Sequence, residues 1–162
     1  MRTDNGKVRG VIVSIYFIMV VLALVLATVF SAFKDLTDNA YKTFAVISVA
    51  FVLVFIIFYL VSKYFEYDSD GVKVVVENRG LLLSDRFNYR EKRVEFYKKD
   101  LLGFKFNDYL VYKSLKLKLR SSNGKSKNCV FNVTLVQKKK RKYIRKSLNK
   151  MLRENRKNSD NQ

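Results

Sequence analysis

The side chains that could do chemistry are few. Two acidic pairs, Asp68/Asp70 and Glu91/Glu95, have spacings that could serve proton transfer, since carboxylates alone can act as acid and base. Asp68 and Asp70, however, fall in the turn signal DSDG, and Glu91/Glu95 flank Lys92 and Arg93, as in a salt-bridged strand. Histidine is absent and Cys129 is the only cysteine, so there is no imidazole base, no Cys–His pair, no HExxH helix, no Cys-rich zinc site and no internal disulfide. Cys129 itself occupies an apolar strand position, where cysteine behaves as a small buried hydrophobe. These residues predict a chain that is not an enzyme, with no catalytic residue, no metal, no cofactor and no small-molecule substrate.

Binding of anions is the chemistry that the sequence does offer. Lys and Arg number 32 against 14 Asp and Glu, a net charge of +18. Three basic groups stand out. One contains Arg90, Lys92, Arg93, Lys98 and Lys99. A second is Lys116, Lys118 and Arg120, which alternate with leucines. The third is a run from Lys138 to Lys157 that includes Lys139, Lys140, Arg141, Lys142, Arg145 and Lys146. Any one of them is equally a solvated face, but together they point to an anionic partner.

Such charge sits oddly beside a hydrophobic content of 49%. The two properties separate along the chain. Residues 11–33 and 43–62 carry no charge, and a single membrane span needs roughly 20 residues. Both are predicted transmembrane helices, joined by a short external loop, residues 34–42. Aromatic residues bracket the second span, with Tyr41 before it and Tyr59, Tyr64, Phe65 and Tyr67 at and beyond its end. Of the basic residues, three precede the first span, two lie in the loop beside two aspartates, and the other 27 follow residue 62. The positive-inside rule then places residues 1–10 and everything after residue 62 in the cytoplasm, N-in and C-in, as expected for a multi-pass protein of a bacterial inner membrane. Within the first span Ala23, Ala27 and Ser31 recur every four residues. That spacing lets helix backbones approach closely, against the second span or against another subunit.

The cytoplasmic part, residues 63–153, reads as a small sheet closed by a helix. Strands are predicted at residues 72–76, from residue 81, at 89–97 and at 102–106. A hairpin is predicted from residues 110–121 and 127–137 around Asn123-Gly124. Periodicity then changes, with Ile144, Leu148, Met151 and Leu152 on one side of an amphipathic helix. Residues 154–162 read as a polar tail.

Two apolar spans followed by YFEYDSDGVKVVVENRG, VEFYKKDLLGFKF and YKSLKLKLRSSNGKSKNCVFNVTLV resemble bacterial membrane proteins that carry a pleckstrin-homology-like (PH-like) domain on their cytoplasmic side. More narrowly, the chain is similar to short uncharacterised proteins of Bacteroidota-type bacteria. The resemblance implies a membrane α-helical hairpin plus an α+β domain, a bent antiparallel sheet or partial barrel with its last helix plugging one open end. PH-like domains that bind phosphoinositides use a basic first hairpin loop. Here that turn, Asp68-Ser69-Asp70-Gly71, is acidic.

Three partners follow as expectations. The basic residues named above contact the anionic inner leaflet, each being worth on the order of 1 kcal/mol near such a surface. Alternatively, the basic C-terminal helix meets ribosomal RNA. Or the chain is an accessory or scaffold subunit that docks other membrane-complex subunits, with Ala23, Ala27 and Ser31 as helix-packing residues.

Overall fold

The structure, a computed structural model, describes residues 2–33, 40–80, 92–121 and 124–160. The elements in chain order are β1 (Arg2–Asp4), α1 (Arg9–Phe33), α2 (Ala40–Val61), β2 (Lys63–Asp68), β3 (Lys73–Gly80), β4 (Lys92–Tyr97), β5 (Leu101–Asp108), β6 (Lys113–Arg120), β7 (Ser126–Asn132) and α3 (Lys138–Asp160). The class is mixed α+β, and the chain forms two units: Gly10–Leu60, and Met1–Arg9 together with Val61–Gln162.

The first unit holds two helices long and apolar enough to cross a membrane, with windows Gly6–Val29 and Tyr41–Val61 of mean hydropathy 2.9 and 3.0. Along α1, Ile12, Tyr16 and Met19 are buried, and Ile15, Ala23 and Leu26 are half-buried, a stripe recurring every three or four residues. The corresponding stripe of α2 is Phe44, Ile47, Ser48, Phe51 and Phe58. Tyr16 meets the Phe55 ring edge-on, with centroids 5.6 Å apart. The expected small-residue positions divide on this helix. Ala23 lies on the stripe, but Ala27 points to the exposed side, and the side chain of Ser31 lies outside the described residues. Bulky rings and aliphatic chains at a heptad-like spacing fill the contact instead.

The second unit is built from two antiparallel sheets, ordered β1-β2-β3-β4 and β5-β6-β7. β1 is a finding, because residues 1–10 carry no strand signal. It pairs with the edge of β2 through Arg2↔Asp68, Thr3↔Tyr67 and Asp4↔Glu66. Asn5 extends the pairing with its side chain: its amide nitrogen donates to the Lys63 carbonyl (3.0 Å) and its Oδ1 accepts from the Phe65 N–H (2.9 Å). The Glu66 carboxylate anchors the same edge, accepting from Arg2 Nε at 2.7 Å and from the Tyr64 hydroxyl at 2.8 Å.

The hairpin of β6 and β7 follows the alternation of its residues. Leu115, Leu117 and Leu119 face inward with Cys129 and Phe131, while Lys116, Lys118 and Arg120 face solvent. The connection spans Ser121 to Lys125, closed by Ser121 N–H to Lys125 O (2.8 Å), with Gly124 at φ +73°. β7 ends at Asn132, earlier than the expected residue 137. The Asn132 Oδ1 takes the Thr134 N–H (2.9 Å) and hydroxyl (2.7 Å) in an Asx turn, which diverts the backbone while Val133 and Val136 stay in the core. The expected strand from residue 81, like Arg90 and Glu91, lies outside the described residues.

α3 lays Ile144, Leu148 and Met151 into this core, with Leu152 partly buried beside them. It continues through residues expected as a polar tail. Asn155 sits on that extension and donates to the carbonyls of Lys98 (2.8 Å) and Leu101 (3.1 Å), which ties the last turns of the helix to the start of β5. Below it Tyr67, fully buried, shares its hydroxyl with Ser147 at 3.0 Å.

A buried side chain joins the two sheets. Asn78 of β3 donates to the carbonyls of Tyr64 (2.8 Å) and Asn132 (3.0 Å), and its Oδ1 accepts the Asn132 N–H. Replacing Asn78 by Ala strands a buried N–H and two buried carbonyls, at about 1–3 kcal/mol for each unsatisfied group. Asn78→Ala is therefore expected to destabilise the second unit by about 3 kcal/mol or more. Hydrogen exchange of the full chain in detergent checks this: protection of β3 and β7 should collapse while α1 and α2 keep theirs.

Tyr64 yields a second expectation. Burial, followed by its hydrogen bond to Glu66, pushes the phenol up to about 12. A folded pKa above the unfolded one, about 10, means that the contribution is complete below pH 10 and is lost as the pH rises towards 12. Alkaline unfolding should thus begin near pH 10, and the tyrosinate absorbance of Tyr64→Phe should lack a component that titrates near 12.

Candidate interaction surface

The second unit has two distinguishable ends. At one end the chain leaves for α1 through the 3-10 turn Gly6–Val8 and returns from α2 at Lys63. A string of contacts shows what else lies there. Asn5 is bonded to Lys63 and Phe65, and Asn78 joins Tyr64 to Asn132. The Lys140 ammonium donates to the Asp4 carbonyl, and the next residue, Arg141, reaches Asp108 at 3.5 Å. Asp108 also takes Lys113 at 2.9 Å across the tip of the β5–β6 hairpin. The first turn of α3, the β5–β6 tip and both chain exits thus share one end. The other end carries the turn Asp68–Lys73, where Asp68 Oδ1 accepts the Asp70 N–H (2.9 Å), and the β4–β5 junction to which Asn155 is tied.

The expected contact residues divide over these two ends and the face between them. Lys138, Lys139 and Lys142 are exposed at the exit end. Lys140 and Arg141 are half-buried, and both are engaged in structure, with Asp4 and Asp108 respectively. The Asp108 carboxyl is held below its ordinary range, first by the hydrogen bond from Lys113 and then by the Arg141 charge. Arg145 lies over the Phe106 ring, 5.1 Å from its centroid, and Lys146 is exposed. Lys98 and Lys99 belong to the far end, where Lys98 is half-buried and the ammoniums of Lys73 and Lys99 stand 5.1 and 5.8 Å from the Tyr97 ring centroid. The structure therefore brings Lys138, Lys139 and Lys142 together with the exits, and Lys98 and Lys99 away from them.

Lys116, Lys118 and Arg120 run along the outer face of β6 between the two ends. Their cross-strand partners include no acid: Lys116 faces Lys105 and Val130, Lys118 faces Gly103 and Asn128, and Arg120 faces Ser126. Lys105 directly opposite Lys116 is a like-charge pair, which by itself costs stability and which a bound anion would relieve. Lys105 carried no pattern that singled it out, since it follows an interrupted run; only the register of β5 against β6 reveals the pairing.

The acidic side chains that could have done proton transfer are mostly occupied. Asp68 caps its own turn, Glu95 pairs with Arg93 at 2.7 Å, and Glu66 holds Arg2 and Tyr64. Among the described residues no three Asp, Glu or Cys side chains converge as a metal site. A groove of about 280 Å³ at the far end is lined by Lys73, Tyr97, Asp100, Arg120 and Lys127, a mixture of both charges. No protein-family model matches the chain, and no curated protein or solved structure matches it either.

Proposed function

We propose that the chain is a non-enzymatic integral membrane protein of a bacterial inner membrane, an accessory or scaffold subunit whose basic PH-like domain faces the cytoplasm and contacts the anionic leaflet or a protein partner. The observation that carries this reading is the pairing of β1 with β2. It places the segment before α1 and the segment after α2 in one sheet, as a helical hairpin returning to one side of a bilayer requires. The distribution of Lys and Arg then favours the cytoplasmic side for that sheet. Two antiparallel sheets with a C-terminal helix seated against β5 support a PH-like arrangement. The face of Lys105, Lys116, Lys118 and Arg120, with no acid among its cross-strand partners, together with exposed Lys138, Lys139, Lys142 and Lys146, supports an anionic partner. The non-enzymatic reading is supported by the engagement of Glu66, Asp68, Glu95 and Asp108 in structural pairs.

The alternative, a membrane-anchored factor that meets ribosomal RNA through α3, has exposed Tyr143 among the lysines as a stacking ring in its favour. Mild extraction at native abundance, followed by identification of what co-purifies, tests the central reading. Other membrane subunits are expected, whereas a lone monomer would overturn the accessory role and ribosomes would establish the alternative. The lipid contact has its own measurement. In proteoliposomes of the full chain, amine labelling of Lys138, Lys139, Lys142 and Lys146 should fall when an anionic lipid replaces phosphatidylcholine; equal labelling would remove the leaflet from the account.

A further inference from the structure

The tip of the β5–β6 hairpin is Tyr109-Leu110-Val111-Tyr112, four large side chains with no polar residue among them. A hairpin tip in water would be polar; here Tyr109 is 63% exposed, Leu110 fully exposed and Val111 53%. The turn is closed by the Tyr109 N–H donating to the Tyr112 carbonyl at 2.9 Å, so Leu110 and Val111 stand at its apex. Its base is rigid. Asp108 before it is held by Lys113 and by Arg141 of α3, and the backbone of Lys113 is bonded to Thr134 and Val133.

We infer that this tip is a lipid anchor, whose Leu110 and Val111 enter the acyl boundary of the bilayer while Tyr109 and Tyr112 lie at the headgroup level. Three observations select a bilayer rather than a protein groove as the occupant. The tip lies at the end of the unit from which the chain departs for α1 and returns from α2, through the contacts Asp4–Lys140 and Arg141–Asp108. Its pattern, two aliphatic residues bracketed by two tyrosines, is the distribution of an interfacial segment, with amphipathic rings at the polar boundary. The charge around it is net basic: Asp108 is offset by both Lys113 and Arg141, and exposed Lys138 and Lys142 lie within a turn of Arg141, so an anionic headgroup layer complements the rim of the apolar tip. This inference rests on the membrane reading proposed above.

The chain contains no tryptophan, so one introduced indole reports on its own surroundings. Leu110→Trp, in the full chain reconstituted in anionic vesicles with bromine on the acyl chains, should emit blue-shifted light and be quenched by the bromine. Val72→Trp is the comparison: Val72 is 77% exposed but lies in the turn after β2, at the far end, and should stay red-emitting and unquenched by bromine. A Leu110→Trp emission like that of an indole in water would overturn the anchor. So would a blue shift without bromine quenching, which would mean a protein contact, and so would equal quenching at both positions. Alkaline extraction of the same vesicles separates the two claims. A chain that stays while its Leu110→Trp indole remains in water refutes the anchor alone, and a chain that is stripped off refutes the membrane reading with it.

Discussion

The second unit depends on a single carboxamide. β7 is the free edge of its sheet, and among the described residues no backbone ladder joins it to the other sheet. Asn78 supplies the missing bonds, offering both a donor and an acceptor to Asn132 as a neighbouring strand would. Lys92 adds a third bond, from its ammonium to the Val130 carbonyl at 3.0 Å. Where side chains take these edge groups they are withdrawn from intermolecular pairing, and the edge can still meet a sheet that arrives at an angle. The core residues Phe65, Val76, Leu115 and Phe131 can then face each other between sheets. A backbone ladder at the same place would have merged the two into one continuous sheet.

Asparagine performs this service repeatedly. Asn5 lengthens the β1 pairing, Asn132 turns the chain out of β7, and Asn155 fastens α3 to β5. In each case the side chain makes two bonds to polar groups of other residues, so a segment too short or too irregular for a ladder still has its polar groups paired. The result is a small domain in which the junctions, more than the elements, are specified by polar residues.

This explains which parts could be read from sequence. The two apolar helices, the β6–β7 hairpin and the buried face of α3 announce themselves through uncharged length or strict periodicity. Leu115, Leu117 and Leu119 leave no other register for their lysine neighbours. β1 has three polar residues, Arg-Thr-Asp, and becomes a strand only because β2 offers an edge and Glu66 a counter-ion. Residues 154–160 look like a tail because the bond that holds them comes from one asparagine to carbonyls far back in the chain. Of the candidate contact residues, the exposure of Lys116, Lys118 and Arg120 was legible in the alternation. The structural engagement of Lys140 and Arg141 was not, since Asp4 and Asp108 are distant in sequence. In α1 the buried stripe runs through the large residues Ile12, Tyr16 and Met19, with Ala23 half-buried on it, a pattern that the spacing of Ala23, Ala27 and Ser31 does not announce.

The pairing of β1 with β2 also has a consequence in time. Asp4 is synthesised early but meets Glu66 only after both apolar helices have been made, so the first strand must wait for the last turn of α2. If the first helix entered a bilayer with the wrong polarity, Arg2–Asp4 would be marooned across the membrane from its partner. Asn5 would then lose its bonds to Lys63 and Phe65, and Lys140 its acceptor. For helices that span a bilayer, completion of the sheet would demand a return crossing, with Arg2–Asp4 and Glu66–Asp68 emerging on the same side, whichever side that is.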